Sequence, residues 1–200
     1  MTLHQLYVFK DVRFGGVPER FGPSSFPTSP ANHSNDGSSC IQIGPTKYKN
    51  PPGGQPGYES PILSDPDTNQ SEDCLFLDMY VPKSAFETGA AQLPVIVWFY
   101  GGAFAFGSKE VKSGLPLYTG QAMLKSTNYN AIFVAGNYRL GVFGWLAGSY
   151  MENYGLPNAG LYDQALLLQW LQQYIPLVNG DNGRATAWGD LLGRALFFTV

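Results

Sequence analysis

The stretch Pro94-Val95-Ile96-Val97-Trp98-Phe99-Tyr100-Gly101-Gly102-Ala103-Phe104 joins two patterns with no spacer between them. Up to Tyr100 it is apolar without alternation, as expected of a strand buried on both faces of a parallel sheet. The glycine pair then lets the backbone turn sharply and approach a ligand closely. Amides exposed at such a turn can bind an oxyanion, because hydrogen bonds aimed at developing charge stabilise an acyl-transfer transition state. On this segment alone, an ordinary strand-to-loop turn is the plainer reading.

Further elements lie on either side. Leu75-Phe76-Leu77-Asp78-Met79-Tyr80-Val81 is a strand candidate stopped by Pro82, and Ala131-Ile132-Phe133-Val134-Ala135 is another buried run. Leu161, Ala165, Leu168, Leu171 and Ile175 then recur at steps of 4, 3, 3 and 4, a helical stripe ended by Pro176. Arg184-Ala185-Thr186-Ala187-Trp188 is a short further strand followed directly by Gly189. Buried strands, a helix and another strand predict an α/β sheet. No internal repeat is visible.

The 200 residues are room for one domain or two small ones. Charged residues are 14% and apolar residues 44%, so the chain wants a large core and is not of disordered composition. A net charge of −3 excludes a phosphate-backbone binder, which needs clustered positive charge. No apolar run is long enough for a membrane helix. Ten of the fifteen prolines fall between Gly15 and Gln70, which makes residues 15–73 an irregular segment ahead of the strands and helix of 74–200.

Cys40 and Cys74 allow one disulfide or two free thiols. His4 and His33 are far from both, so neither a metal nor another cofactor is expected. Asn32-His33-Ser34 and Asn69-Gln70-Ser71 are sequons for N-glycosylation, each weak alone. Together with a disulfide they lean toward a secretory compartment. Met1 to Lys10 nevertheless lacks the basic and apolar regions of a signal peptide. Either export is wrong or the true N-terminus is missing.

Several blocks in order resemble the type-B carboxylesterase and cholinesterase family of α/β-hydrolases. Glu72-Asp73-Cys74-Leu75-Phe76-Leu77-Asp78-Met79-Tyr80-Val81-Pro82 is similar to its cysteine-containing signature, with Met79 a mild departure. Trp98 to Phe104 is similar to its oxyanion-hole turn. Asn137-Tyr138-Arg139-Leu140-Gly141-Val142-Phe143-Gly144 and Asn158-Ala159-Gly160-Leu161-Tyr162-Asp163-Gln164 match two further blocks. Phe14 to Phe21 resembles the early segment that closes on an R-F pair, here Arg20-Phe21.

The resemblance implies an incomplete α/β-hydrolase domain over 1–200, a mostly parallel central sheet flanked by helices. It implies a Cys40–Cys74 disulfide, a buried Arg139–Asp163 ion pair and a Glu72–Arg20 pair. It makes the backbone N–H groups of Gly102 and Ala103 oxyanion donors, with the amide of Leu192 as the third. It also implies a small-molecule ester substrate, hydrolysed through an acyl-enzyme. In that chemistry a serine attacks, a histidine accepts its proton and an acid orients the histidine. An ordinary solvated surface is the blander role for the charged residues. At Tyr100, Phe104, Phe106 and Tyr118, core packing is a plainer role than a gorge wall.

The resemblance breaks at the nucleophile. The elbow of these hydrolases is G-x-S-x-G, and here it reads Gly189-Asp190-Leu191-Leu192-Gly193, with leucine where serine belongs. No other serine sits in that pattern, and neither acid nor histidine follows Gly193. Many fungal-type members read G-E-S-A-G-A-G-S-I-L-H at this place. Losing one nucleotide from the glutamate codon turns GA-TCT-GCT-GGG-GCG-GGC-TCT-ATT-CTT-CAC into codons for Asp190, Leu191, Leu192, Gly193, Arg194, Ala195, Leu196, Phe197, Phe198 and Thr199. The codons are chosen to fit, but each shifted codon admits only a handful of residues.

Three readings follow. The first is the N-terminal part of a serine carboxylesterase or lipase, inactive as written and cut at the elbow. Its last strand is then expected to leave an apolar edge that makes the fold marginal and poorly soluble. The second is a non-catalytic binding or adhesion module of the same superfamily. The third is a free-standing small protein with a new role. A divergent sequence or an unspliced intron boundary competes with the frameshift. The frameshifted esterase is preferred.

Overall fold

Val95, Val97 and Phe99 bury one side of a strand and Ile96 and Trp98 the other, so this segment occupies the interior of a sheet. The computed structural model describes residues 5–16, 19–28, 37–42, 69–110 and 119–189. Among them, the strands are β1 (Leu6–Arg13), β2 (Ser39–Cys40), β3 (Gln70–Ser71), β4 (Phe76–Pro82), β5 (Leu93–Phe99), β6 (Ile132–Gly136) and β7 (Gly180–Gly189). The helices are α1 (Gly120–Ser126), α2 (Gly141–Trp145), α3 (Ser149–Tyr154) and α4 (Ala159–Tyr174). Short 3-10 turns at Lys83–Phe86 and Ile175–Val178 link β4 to β5 and α4 to β7.

The main sheet runs β1-β4-β6-β5-β7. β5 is parallel to both β6 and β7, whereas β4 is antiparallel to β1 and β6. α1 lies in the connection from β5 to β6, and α4 in the crossover from β6 to β7. This is the mixed, mostly parallel sheet with helices expected of an α/β fold. Its core is formed by fully buried Leu77, Val97, Ile132, Val134, Leu167 and Leu171. Burying each such side chain is worth roughly 1.5–3 kcal/mol relative to leaving it in water.

Four elements differ from expectation. The buried face of α4 carries Asp163, Gln164, Leu166, Leu167, Trp170 and Leu171, while Leu161, Ala165 and Leu168 are only half-buried. The helix is rotated from the anticipated stripe because its buried face includes polar Asp163 and Gln164, which an apolar template skips. β1 was not anticipated: Tyr7, Val8 and Phe9 are exposed, so the strand carries no buried-face pattern. β2 and β3 pair in parallel within the 15–73 span read as irregular.

Candidate active site

β5 and β7 are parallel neighbours, and Phe99 pairs with Gly189. The carboxyl ends of β5 and β7 therefore lie side by side at the same edge of the sheet. Open α/β sheets bind their ligands at that edge. Asp190, Leu191, Leu192 and Gly193 themselves lie outside the described residues.

The turn is built on left-handed backbone. Gly102, Ala103 and Phe104 have φ of 124°, 54° and 62°. The Gly102 carbonyl accepts from the N–H groups of Ala105 (3.0 Å) and Phe106 (3.2 Å). A Cβ on Gly102 would lie 1.9 Å from the Phe106 carbonyl oxygen, so only glycine fits. Ala103 tolerates αL at a cost of about 1–2 kcal/mol. Among the described residues no acceptor engages the N–H of Gly102 or of Ala103, and Ala103 is exposed. Unclaimed amides on a strained, fixed turn are suited to receiving an oxyanion.

Aromatic packing supports the turn from below. The rings of Tyr100 and Tyr138 stack at 4.5 Å. Tyr100 Oη donates to the Tyr138 carbonyl (3.1 Å) and accepts from the Tyr138 N–H (3.2 Å), and Tyr138 Oη donates to the Tyr100 carbonyl. Burial pushes both phenols well above their usual range, which keeps them neutral. Phe104 packs on Trp145 at 4.1 Å, and its carbonyl accepts from the Gly141 N–H at 2.7 Å. Tyr100 is thus buried in packing, Phe106 is half-buried, and Tyr118 lies outside the described residues.

Cys40 and Cys74 form a disulfide. Asp163 receives Arg139 Nε and Nη2, each at 2.8 Å, and both side chains are buried. Arg20 donates through Nε (3.2 Å) and Nη2 to Glu72 in an exposed pair. That hydrogen bond holds the Glu72 carboxyl below its ordinary range. Asn69 is exposed, and Asn32 lies outside the described residues.

Sequence reasoning missed two side chains behind the turn. Lys109 is buried, with Nζ 2.7 Å from both Asp11 and Asp78. Burial opposes its charge, but the Asp78 and Asp11 carboxylates outweigh that and raise its pKa. Asn137 accepts from the Lys109 N–H (2.8 Å) and donates to the carbonyls of Ser38 (3.0 Å) and Cys74 (3.1 Å). Neither offers a local signal, since these partners come from distant parts of the chain. Among the described residues, no group of histidine, cysteine and carboxylate side chains is arranged to hold a metal.

The sheet order, the crossover helix and the glycine turn beside the elbow strand define an α/β-hydrolase. The sequence model of the carboxylesterase family matches residues 2–196, across the elbow position. The chain belongs to the carboxylesterase family. It is 45% identical over 139 residues to a secreted lipase of Arthroderma benhamiae, covering 69% of this chain and 27% of that protein. It is 42% identical over 139 residues to carboxylesterase patB of Penicillium expansum, covering 66% of this chain and 24% of that one. Among solved structures, a thermophilic PNB esterase superposes with a TM-score of 0.71 at 28% identity, covering 96% of this chain and 36% of the esterase. The chain thus spans about a quarter of the length of these curated relatives.

Proposed function

We propose that this chain carries the oxyanion-hole part of a serine carboxylic-ester hydrolase acting through an acyl-enzyme, and that as written it hydrolyses no ester. One observation carries the reading: the amides of Gly102 and Ala103, which no acceptor engages among the described residues, follow directly on β5, whose last residue Phe99 pairs with Gly189 at the end of β7. In the working site those amides, with that of residue 192, would hold the oxygen of the tetrahedral intermediate. A serine at position 191 would form the acyl bond.

Leu191 has no oxygen with which to attack. Removing the nucleophile from a serine hydrolase costs on the order of a millionfold in turnover. Loss of one nucleotide from a glutamate codon at position 190 makes every residue from Asp190 to Thr199 reachable. The full-length enzyme, with its serine, would take a small-molecule ester and need no cofactor. The disulfide, the sequons at Asn32 and Asn69 and the secreted lipase among the relatives support an exported glycoprotein. The runner-up reading, a non-catalytic binding or adhesion module of the same superfamily, would also carry no serine at position 191.

Incubation of the purified chain with p-nitrophenyl acetate and with a fluorophosphonate tests the reading. The expected result is ester loss at the buffer rate and an unchanged intact mass. Saturable hydrolysis, or a phosphonylated serine, would overturn it.

A further inference from the structure

Gln42, two residues beyond the disulfide cysteine Cys40, makes an unusual pair of contacts with the far end of the glycine loop. Its Oε1 accepts from the Gly107 N–H at 2.7 Å, and its Nε2 donates to the Gly107 carbonyl at 3.2 Å. A side-chain carboxamide here engages both backbone groups of one residue, as a neighbouring strand would. Gly107 in turn packs on the start of the loop. At φ 128°, a Cβ there would lie 2.5 Å from Tyr100 Cδ2 and 2.8 Å from the Gly101 carbonyl oxygen. Whatever fixes Gly107 therefore fixes both ends of the turn that presents Gly102 and Ala103.

Gln42 is itself anchored. Its N–H donates to Gln70 Oε1 at 3.1 Å, and its Nε2 also reaches the Cys40 carbonyl at 3.5 Å. Cys40 is bonded to Cys74, whose carbonyl accepts from Asn137. We propose that Gln42 is a positioning residue: held by the disulfide-bonded segment, it clamps Gly107 and so sets the orientation of the Gly102 and Ala103 amides. The inference rests on reading those amides as oxyanion donors. A Gln42 that merely covered polar surface would need only one of its two contacts with Gly107.

Amide hydrogen exchange on the full oxidised chain tests the clamp without any ester. It can therefore fail while the ester-hydrolase reading stands, and the reverse also holds. Gln42→Ala removes both contacts. Gln42→Glu keeps the shape and the acceptor for the Gly107 N–H but presents a carboxylate to the Gly107 carbonyl. In both variants the hydrogen-bonded amides of Ala105, Phe106 and Gly107 should exchange about tenfold faster or more, as expected of a locally opened loop, while those of Val97 and Val134 keep their rates. The Gly107 amide proton should also move upfield in Gln42→Ala as its short bond is lost. Unchanged loop exchange in both variants would overturn the proposal, as would a rise shared equally by the strands. If Gln42→Ala does not fold, the comparison with Gln42→Glu decides the matter alone.

Discussion

Arg139 grips Asp163 with three donors: Nε and Nη2 at 2.8 Å each, and its own backbone N–H at 3.0 Å. Its remaining Nη1 donates to the Gly22 carbonyl at 2.9 Å. One buried side chain thereby joins the exit of β6, the first turns of α4 and the early segment around Phe21.

Breaking this pair from one side leaves a buried guanidinium uncompensated. Removing one partner of a buried pair costs about 3–5 kcal/mol. Asp163→Asn should lower the urea midpoint by an amount corresponding to that loss. A midpoint close to that of the parent chain would show the pair to be dispensable.

The disulfide closes a span with a sequence separation of 34 residues. On the chain-entropy account such a cross-link contributes about 4 kcal/mol by restricting the unfolded chain. Reduction, or Cys40→Ser with Cys74→Ser, should destabilise the fold by roughly that amount in equilibrium denaturation. The loss should come without disturbance of β4, β5 and β6, whose partners do not depend on it.

Alkaline titration separates the tyrosines. Burial raises the Tyr100 and Tyr138 phenols well above 10.0 in the folded state, and desolvation also raises Tyr80. The folded chain then holds protons that the unfolded chain gives up above pH 10. Stability therefore falls as pH rises through that range. Tyr100 and Tyr138 should ionise only with unfolding, seen as a late step in tyrosinate absorbance that coincides with loss of circular dichroism.

Among the described residues β7 is an edge strand, paired only with β5, and its Trp188 is 45% exposed. A long edge with few charges is a template for association. Thr186→Lys, at an exposed position on β7, should reduce light scattering of the concentrated chain without lowering its melting temperature. Equal scattering by both proteins would locate the association elsewhere.

The parallel strands were legible because β5 and β6 are buried on both faces and announce themselves as unbroken apolar runs. The glycine turn was legible because it follows β5 directly. What escaped was set by long-range polar packing. Lys109 sits between two carboxylates contributed by separate strands, and Gln42 meets Gly107 across 65 residues. Such side chains read as solvated polar residues when only their neighbours in sequence are seen. The phase of α4 was missed for a related reason: Asp163 belongs to its buried face because Arg139 neutralises it there, an arrangement that no apolar periodicity encodes.

We propose that this carboxylesterase-family chain has leucine at the nucleophile position because one nucleotide is lost within the codon read as Asp190. The most direct test is the nucleotide sequence of its transcript across the codons for Trp188 to Val200 and beyond. The account predicts that one base added after the second position of the Asp190 codon restores Gly-Glu-Ser-Ala-Gly, with serine in place of Leu191. A transcript in which no frame encodes that serine would contradict it.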